Sequence, residues 1–307
     1  MIPIDSLSRR RFLKLTGGVA GLAALGRTSM LGADTPVTIG GRLQPKRFTI
    51  DVHMHYNKAP EYFPTLVNLY RERNAMACVN AFTADFPAVA EATKQYPDVV
   101  IPFARLLLDD ADILSQIDRL AAMGCKGAGE LRNPRFNYDD ERYFPIYEKI
   151  AAKGWPALFH TGIAGFGALG MPRMRAEFLI TIAAKFPNLQ IIGAHLGNPD
   201  YEEAAEVARW CKNVHLDVTG STLTKFKGNL RRLKEIMWWE GPSQHSASDT
   251  EYAFEKLVFG TDEPPEHLDV VRSQHEDMFD ACVVPESTRR NVYGGTMARI
   301  LGIKVRD

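Results

Sequence analysis

Three residues in the stretch TIDVHMHYN, Asp51, His53 and His55, stand at alternate positions and are of types that bind metals or move protons. In an extended strand, residues two apart point the same way and lie about 6.6 Å apart. Two imidazoles at that spacing can converge on one ion, and neutral imidazole is a common ligand of Zn²⁺. The stretch therefore indicates either the first part of a metal site or an ordinary strand with a polar face.

Further imidazole and carboxylate groups follow four later apolar runs. A lone histidine after a strand is more often a structural residue than a ligand, so each position is weak evidence by itself. Together with the first stretch, however, these positions use half of the eight histidines in the chain, which favours one shared site. The residues are Glu130, His160, His195 and Asp262.

The apolar runs that end in these residues alternate with segments of helical period, which is typical of βα units around a parallel sheet. Eight such runs are present: FTIDVH, ACVNAF, VVIPFARL, KGAGEL, PALFHT, QIIGAH, VHLDVT and KLVFGTD. Eight strands match the size of one (β/α)8 barrel, in which functional side chains come from the carboxyl ends of the strands. We therefore expect an α/β fold, a distorted (β/α)8 TIM barrel, formed by residues 47–307 without an internal domain boundary.

The motifs DVHMH, HTG, GAHLGN, HLDVTG and VFGTDEP, in this order, resemble the amidohydrolase superfamily, specifically the branch called amidohydrolase family 2. The resemblance covers about residues 48–303. It implies a distorted barrel that holds one or two divalent ions, Zn²⁺ first, with Mn or Fe as alternatives. The ligand positions that it implies are His53, His55, His160 and Asp262. His195 is then either a ligand of a second metal or a catalytic imidazole beside a single one.

The fourth strand departs from a pattern that many superfamily members show. Many of them use a carboxylated lysine there to bridge two metals, but this chain reads GCKGAGELR. Lys126 stands at the start of the strand, whereas Glu130 stands at its end, where the ligands are expected. One interpretation makes Glu130 a bridging carboxylate, which resembles the TatD-type nucleases and some phosphotriesterase relatives. The alternative is a carboxylate that orients a ligand histidine.

The chemistry that such a site implies is hydrolysis by an activated water. Imidazoles and a carboxylate leave an open position on the ion, which lowers the pKa of its bound water from 15.7 to about 7. Asp262 can take a proton from that water and pass it to the leaving group, and His195 could polarise the substrate oxygen or act as the acid. Asp51 is expected to support the ligands from behind. Arg105 and Arg132, at the ends of the third and fourth strands, could clamp a substrate carboxylate or form a salt bridge in the barrel rim.

These residues predict a metal-dependent hydrolase that acts on a small oxygen-rich substrate such as a lactone, ester or amide. The alternative enzyme is a non-oxidative decarboxylase, because the same branch includes aromatic and semialdehyde decarboxylases with the same ligand set. A third interpretation is a catalytically inactive exported barrel that serves as a binding protein.

The N-terminal segment SRRRFLKLTGGVAGLAALG has the arrangement of a twin-arginine export signal, with Arg9 and Arg10 before a short apolar run. The run from Leu15 to Leu25 is shorter than the roughly 20 residues that span a bilayer. We expect residues 1–33 to be the signal peptide and residues 34–46 to be a linker, the alternative being a basic amphipathic helix. The mature protein would then be periplasmic or otherwise extracytoplasmic, with the twin-arginine export machinery as a partner and no stable membrane span.

The charge balance disfavours nucleic acid as a partner. The 37 basic and 37 acidic residues cancel, so no basic field draws the protein to a phosphate backbone. The expected partner is a small-molecule substrate. A homo-oligomer is a further expectation, because related barrels are often dimers or larger.

The cysteines lie far apart and form no C-x-x-C pair, which is not the spacing of a zinc cage or of a dense disulfide framework. They are Cys78, Cys125, Cys211 and Cys282. We expect them to be small buried residues, with one disulfide as an alternative.

Overall fold

A short hairpin precedes the main body of the protein. The computed structural model describes residues 46–163, 172–237 and 253–306, together with the backbone of two short strands before them. These strands, β1 (Val37–Ile39) and β2 (Arg42–Gln44), pair antiparallel within the range expected as a linker. The expected signal peptide lies outside the described residues.

The main body is built on a sheet of seven parallel strands in chain order, as expected of successive βα units. The strands are β3 (Thr49–His55), β4 (Ala75–Phe82), β5 (Val100–Arg105), β6 (Gly127–Leu131), β7 (Ala157–Phe159), β8 (Ile191–Gly193) and β9 (Val214–Leu216). Nearly every residue of β3 and β4 is buried, because both faces of the sheet are covered.

Helices connect the strands and pack on the sheet. In α3, for example, Ile113, Ile117 and Leu120 recur at helical spacing and are buried, whereas Asp118 and Arg119 are exposed. The helices are α1 (Tyr62–Glu72), α2 (Phe86–Gln95), α3 (Ile113–Ala122), α4 (Phe144–Ala152), α5 (Phe178–Lys185), α6 (Tyr201–Trp210), α7 (Thr222–Phe226), α8 (Arg231–Met237), α9 (Leu268–Cys282), α10 (Glu286–Arg290) and α11 (Thr296–Leu301). Within the described ranges, no helix has the length and apolar character that a membrane crossing requires.

The prediction of a regular eighth strand in KLVFGTD is wrong, because this segment makes one isolated parallel bridge to β9. It nevertheless joins the two ends of the sheet. Val258 N donates to Leu216 O of β9 (2.9 Å), and Val52 N of β3 donates to Phe259 O (3.0 Å). The extended backbone ends at Asp262, whose φ of 52° lies in the left-handed region. The barrel class is therefore confirmed, with an irregular segment in the eighth position.

The four cysteines are free thiols, and all of them lie within the described part of the chain. Cys78, Cys125 and Cys282 are buried, and Cys211 is half-buried. The single disulfide that the sequence left open is therefore not formed.

Arg47 links the start of the barrel to its C-terminal helices. Its side chain is buried, with Nη1 2.6 Å from Glu276 Oε1 and Nη2 2.6 Å from Glu286 Oε2. Loss of Arg47 would leave the buried Glu276 with Arg289 as its remaining cation, so we expect Arg47→Met to lower the free energy of unfolding by about 3 kcal/mol in a urea titration. The control is Arg71→Met, because Arg71 pairs with Asp98 at 2.6 Å on the surface, where such pairs contribute little. Equal losses in the two variants would contradict this role of Arg47.

Candidate metal centre

The carboxyl end of β3 and the segment that closes the barrel bring three expected ligands together. His55 Nε2 lies 3.1 Å from Asp262 Oδ1, and His53 Nε2 lies 3.5 Å from the same oxygen. The ligand atoms of these residues all lie within 4.8 Å of one another. We call His53, His55 and Asp262 the first cluster.

A second cluster consists of Glu130, His160 and His195, whose ligand atoms also lie within 4.8 Å of one another. His160 follows β7, and His195 lies in a turn directly after β8. His160 Nδ1 forms a short hydrogen bond with Glu130 Oε1 and lies 3.2 Å from His195 Nε2. His195 Nε2 is 3.6 Å from the same carboxylate oxygen. Two imidazoles and a carboxylate therefore converge here as well.

Glu130 stands between the two clusters. Its Oε1 lies 3.8 Å from His53 Nε2, and its Oε2 lies 3.7 Å from His55 Nε2. The preceding residue, Gly129, has a φ of 151°, and a Cβ there would stand 2.5 Å from Leu158 Cβ, so glycine permits this approach of β6 to β7. Lys126 lies at the other end of the strand, where it lines a groove with C-terminal residues. Position 130, and not the lysine, thus faces both sets of ligands.

The charges of the site fit a bound cation. Burial alone would lower the pKa of His53, but the carboxylates of Asp217, Asp262 and Glu130 outweigh it and raise that pKa to about 10. Burial likewise opposes ionisation of Glu130 and Asp262, yet the surrounding imidazoles hold the pKa of both carboxyls below the usual range. Buried carboxylates that stay ionised need positive charge beside them. Without an ion, a proton on His53 supplies that charge, and Zn²⁺ or a similar divalent ion would replace this proton through the same set of nitrogen and oxygen donors.

Unpartnered nitrogen atoms support the same fit. His53 Nε2 is buried and has no hydrogen-bond partner among the described residues, although it faces two carboxylates. A buried polar atom without a partner costs free energy, so such atoms usually mark a water, an ion or a functional group. A metal ion in the first cluster would coordinate this nitrogen.

The backbone is held in unusual conformations at two of the candidate ligands. His195 and Asp262 have φ values of 61° and 52°, in the left-handed region that few non-glycine residues adopt. Asp262 N donates to His53 O (2.8 Å), and His195 N donates to Asp217 Oδ1 (2.8 Å), and these bonds fix both turns. Backbone outliers of this kind often occur at functional sites.

Asp51 does not point the same way as the two histidines, so the strict alternation expected along this strand is wrong. Its Oδ2 accepts hydrogen bonds from Tyr70 Oη of α1 and from Thr261 Oγ1, both at 2.6 Å. The pairing register between β3 and β4 shifts between Asp51 and Met54, and such a bulge re-aims side chains. Its Oδ1 accepts the backbone N–H groups of His53 and Thr261, both at 3.0 Å, so Asp51 anchors the backbone at these two positions and does not contact the imidazoles.

Arg105 and Arg132 both face Glu130. Arg105 Nη2 lies 3.6 Å and Arg132 Nη1 lies 3.7 Å from Glu130 Oε2. In each guanidinium the Nε atom is buried without a hydrogen-bond partner among the described residues. Two cations share one carboxylate that the imidazoles also contact, so the pair retains capacity for a further anion.

Two residues that the sequence reasoning missed contact the Nδ1 atoms of candidate ligand histidines. Asp217 Oδ2 lies 2.9 Å from His53 Nδ1, and Thr219 Oγ1 lies 2.8 Å from His195 Nδ1. Burial would raise the pKa of Asp217, but the charge of His53 holds it far below the usual range. Both residues follow the seventh strand in HLDVTG, so the rule that strand ends carry function also applied there.

A family model described as amidohydrolase matches residues 50–303 of the chain. No curated protein matches the sequence in a direct comparison.

Solved structures share the fold at low sequence identity. A protein described as a probable 2-pyrone-4,6-dicarboxylic acid hydrolase from Acinetobacter baumannii, with citric acid bound, is 14% identical, with a TM-score of 0.56 over 83% of this chain and 100% of that one. Dihydroorotase from Campylobacter jejuni is 15% identical, with a TM-score of 0.53 over 85% of each chain. The 4-oxalomesaconate hydratase of Rhodopseudomonas palustris is 13% identical, with a TM-score of 0.50 over 83% of this chain and 95% of that one.

Proposed function

The chain belongs to the amidohydrolase family, whose model covers residues 50–303, and on this premise we propose that it is a metal-dependent hydrolase of small, carboxylate-bearing lactones, esters or amides. It is an enzyme of the hydrolase type, which disfavours the alternative of an inactive binding protein.

One observation carries this proposal, the convergence of the two clusters on Glu130. Candidate ligand atoms from five separate strands or strand ends meet there, and their oxygens and nitrogens are the donors that Zn²⁺ binds. We propose Zn²⁺ as the ion, with Mn or Fe as alternatives. One ion would bind to the first cluster, and a second ion to His160 and His195, with Glu130 shared between them.

The residues of the chain then have separate tasks in the reaction. When bound, the divalent ion supplies Lewis acidity and a hydroxide nucleophile near neutral pH. Asp262 accepts the proton that the attacking water loses and returns it to the leaving group. The buried carboxylates of Glu130 and Asp217 keep the imidazoles in place.

We propose that Arg105 and Arg132 bind a carboxylate of the substrate. Their two guanidiniums stand beside the centre and are compensated only in part by Glu130. Arginine is suited to this task because its planar group makes two parallel hydrogen bonds to a carboxylate. The name of one structural neighbour, a hydrolase of a dicarboxylic acid, is consistent with this substrate class.

We also propose that the protein is exported through the twin-arginine machinery and acts in the periplasm. This proposal rests on the arginine pair and the short apolar run of the N-terminal segment, which lie outside the described residues. We also propose that the protein forms a homo-oligomer.

The proposed function is tested by metal removal and a substrate panel. Protein stripped with a chelator should be inactive, and Zn²⁺, Mn²⁺ or Co²⁺ should restore turnover of lactones, esters or amides, with carboxylated members preferred over their uncharged counterparts. Turnover that survives complete metal removal would overturn the proposal. Release of CO₂ from carboxylated substrates without uptake of water would support the decarboxylase instead.

A further inference from the structure

The hydroxyl of Thr219 lies between imidazoles of both clusters. Thr219 Oγ1 is 2.8 Å from His195 Nδ1 and 3.3 Å from His53 Nδ1, and it donates to Asp217 Oδ1 at 2.6 Å. Asp217 and Thr219 are both buried, and Asp217 Oδ1 also accepts the backbone N–H groups of His195 (2.8 Å) and Thr219 (3.0 Å). This network is therefore closed to solvent and fixed at several points.

The positions of its protons follow from the chemistry of the groups. An ionised carboxylate has no proton to donate, so the only proton of the Thr219 hydroxyl must point at Asp217 Oδ1. The lone pairs of that hydroxyl then face His195 Nδ1. His195 Nδ1 must therefore carry a proton and donate it in this hydrogen bond. His53 Nδ1 faces the other oxygen of Asp217, at 2.9 Å, and carries a proton for the same reason. A neutral imidazole protonated at Nδ1 has its lone pair on Nε2.

In both rings that Nε2 atom points into the centre. His195 Nε2 faces Glu130 Oε1, and His53 Nε2 faces Asp262 Oδ1. Gly220, with a φ of 63°, leaves the space beside His195 free, since a Cβ there would stand 3.0 Å from its Nδ1. Glycine at position 220 thus permits the contact between the His195 ring and Thr219.

We propose that Asp217 and Thr219 are positioning residues that fix the tautomers of His53 and His195, so that both Nε2 atoms can bind a divalent ion. One carboxylate and one hydroxyl would thereby couple an imidazole of the first cluster to an imidazole of the second. This inference rests on the proposed function, because it assigns the two residues a role in binding the metal.

The test compares variants of Thr219 that keep or remove the hydroxyl. Thr219→Val has nearly the same shape but no hydroxyl, so we expect it to bind Zn²⁺ and Co²⁺ about 10- to 100-fold more weakly than the wild type, as measured by competition with a chelator. Thr219→Ser keeps the hydroxyl and should keep the wild-type affinity and the wild-type absorption spectrum of the Co²⁺-loaded protein. Asp217→Asn tests the same role independently. The Asn amide has only one acceptor atom, so this variant should also bind the metal more weakly.

Thr222 provides a matched control. It is buried like Thr219 and also contacts His195, but its hydroxyl donates to the backbone oxygen of that residue (2.9 Å) and not to the ring. Thr222→Val should therefore keep the wild-type metal affinity even if it lowers the melting temperature. Equal metal affinities in Thr219→Val and Thr222→Val would overturn the positioning role of Thr219 but would not affect the proposed function. A wild-type protein that binds no stoichiometric metal would overturn the proposed function and this inference with it.

Discussion

Replacing Asp262 with Asn is expected to lower kcat by about 10³-fold, within the range that a positioned general base contributes. Asp262 is the carboxylate of the centre that water and substrate can reach, since its side chain is 25% exposed, against 2% for Glu130 and 0% for Asp217. An Asn side chain can keep an oxygen near His55 Nε2, but it cannot take up the proton of the attacking water. The loss should therefore appear in kcat rather than in KM.

The measurement for Asp262→Asn needs the metal content and the rate from the same sample. Turnover of the best substrate of the panel is compared at saturating metal, so that weaker metal binding cannot explain the result. Glu263→Gln is the control, because this neighbouring carboxylate pairs with His267 at 3.0 Å and is not part of either cluster. Its kcat should equal that of the wild type. A fully loaded Asp262→Asn variant with wild-type kcat would remove Asp262 from the proton transfer.

The site could be predicted from the sequence to the extent that it depends on strand order. Parallel strands end at the same edge, so residues such as Glu130 and His160, 30 positions apart in the chain, had to approach each other once each was placed at a strand end. The barrel class follows from the same alternation of strands and helices. Neither inference required knowledge of any side-chain contact.

What the sequence did not reveal depends on departures from regular geometry. Asp51 seemed to share a face with His53 because strand side chains alternate, but the register shift on β3 turns it towards Tyr70. The eighth strand was expected to be regular because its apolar residues resemble those of the others. Its backbone instead bonds to β3, to β9 and to the segment between α10 and α11, where Val292 O accepts from Phe259 N (2.9 Å).

Replacing Glu130 with Gln is expected to remove one metal equivalent from a wild-type protein that binds two, and to lower activity by about 10²-fold or more. Its Oε1 contacts His160 of the second cluster and also lies 3.8 Å from His53 Nε2, whereas its Oε2 lies 3.7 Å from His55 Nε2 of the first cluster. A carboxylate can give one oxygen to each of two ions, whereas an amide presents one oxygen and one NH₂ group that repels a cation. The metal content, measured by elemental analysis after equilibration with Zn²⁺, reports this directly.

The outcome for Glu130→Gln separates the two roles that its position allows. If Glu130 only orients His160, the variant should keep the wild-type number of ions and lose affinity, because a hydrogen bond to a ligand is weakened but no ligand is lost. Glu276→Gln controls for the loss of a buried negative charge, since Glu276 is also buried but pairs with Arg47 and Arg289, away from the centre. It should keep the full metal content while losing stability. A wild-type protein with one ion per chain would exclude the bridge, and Glu130 would then act on the metal only through His160.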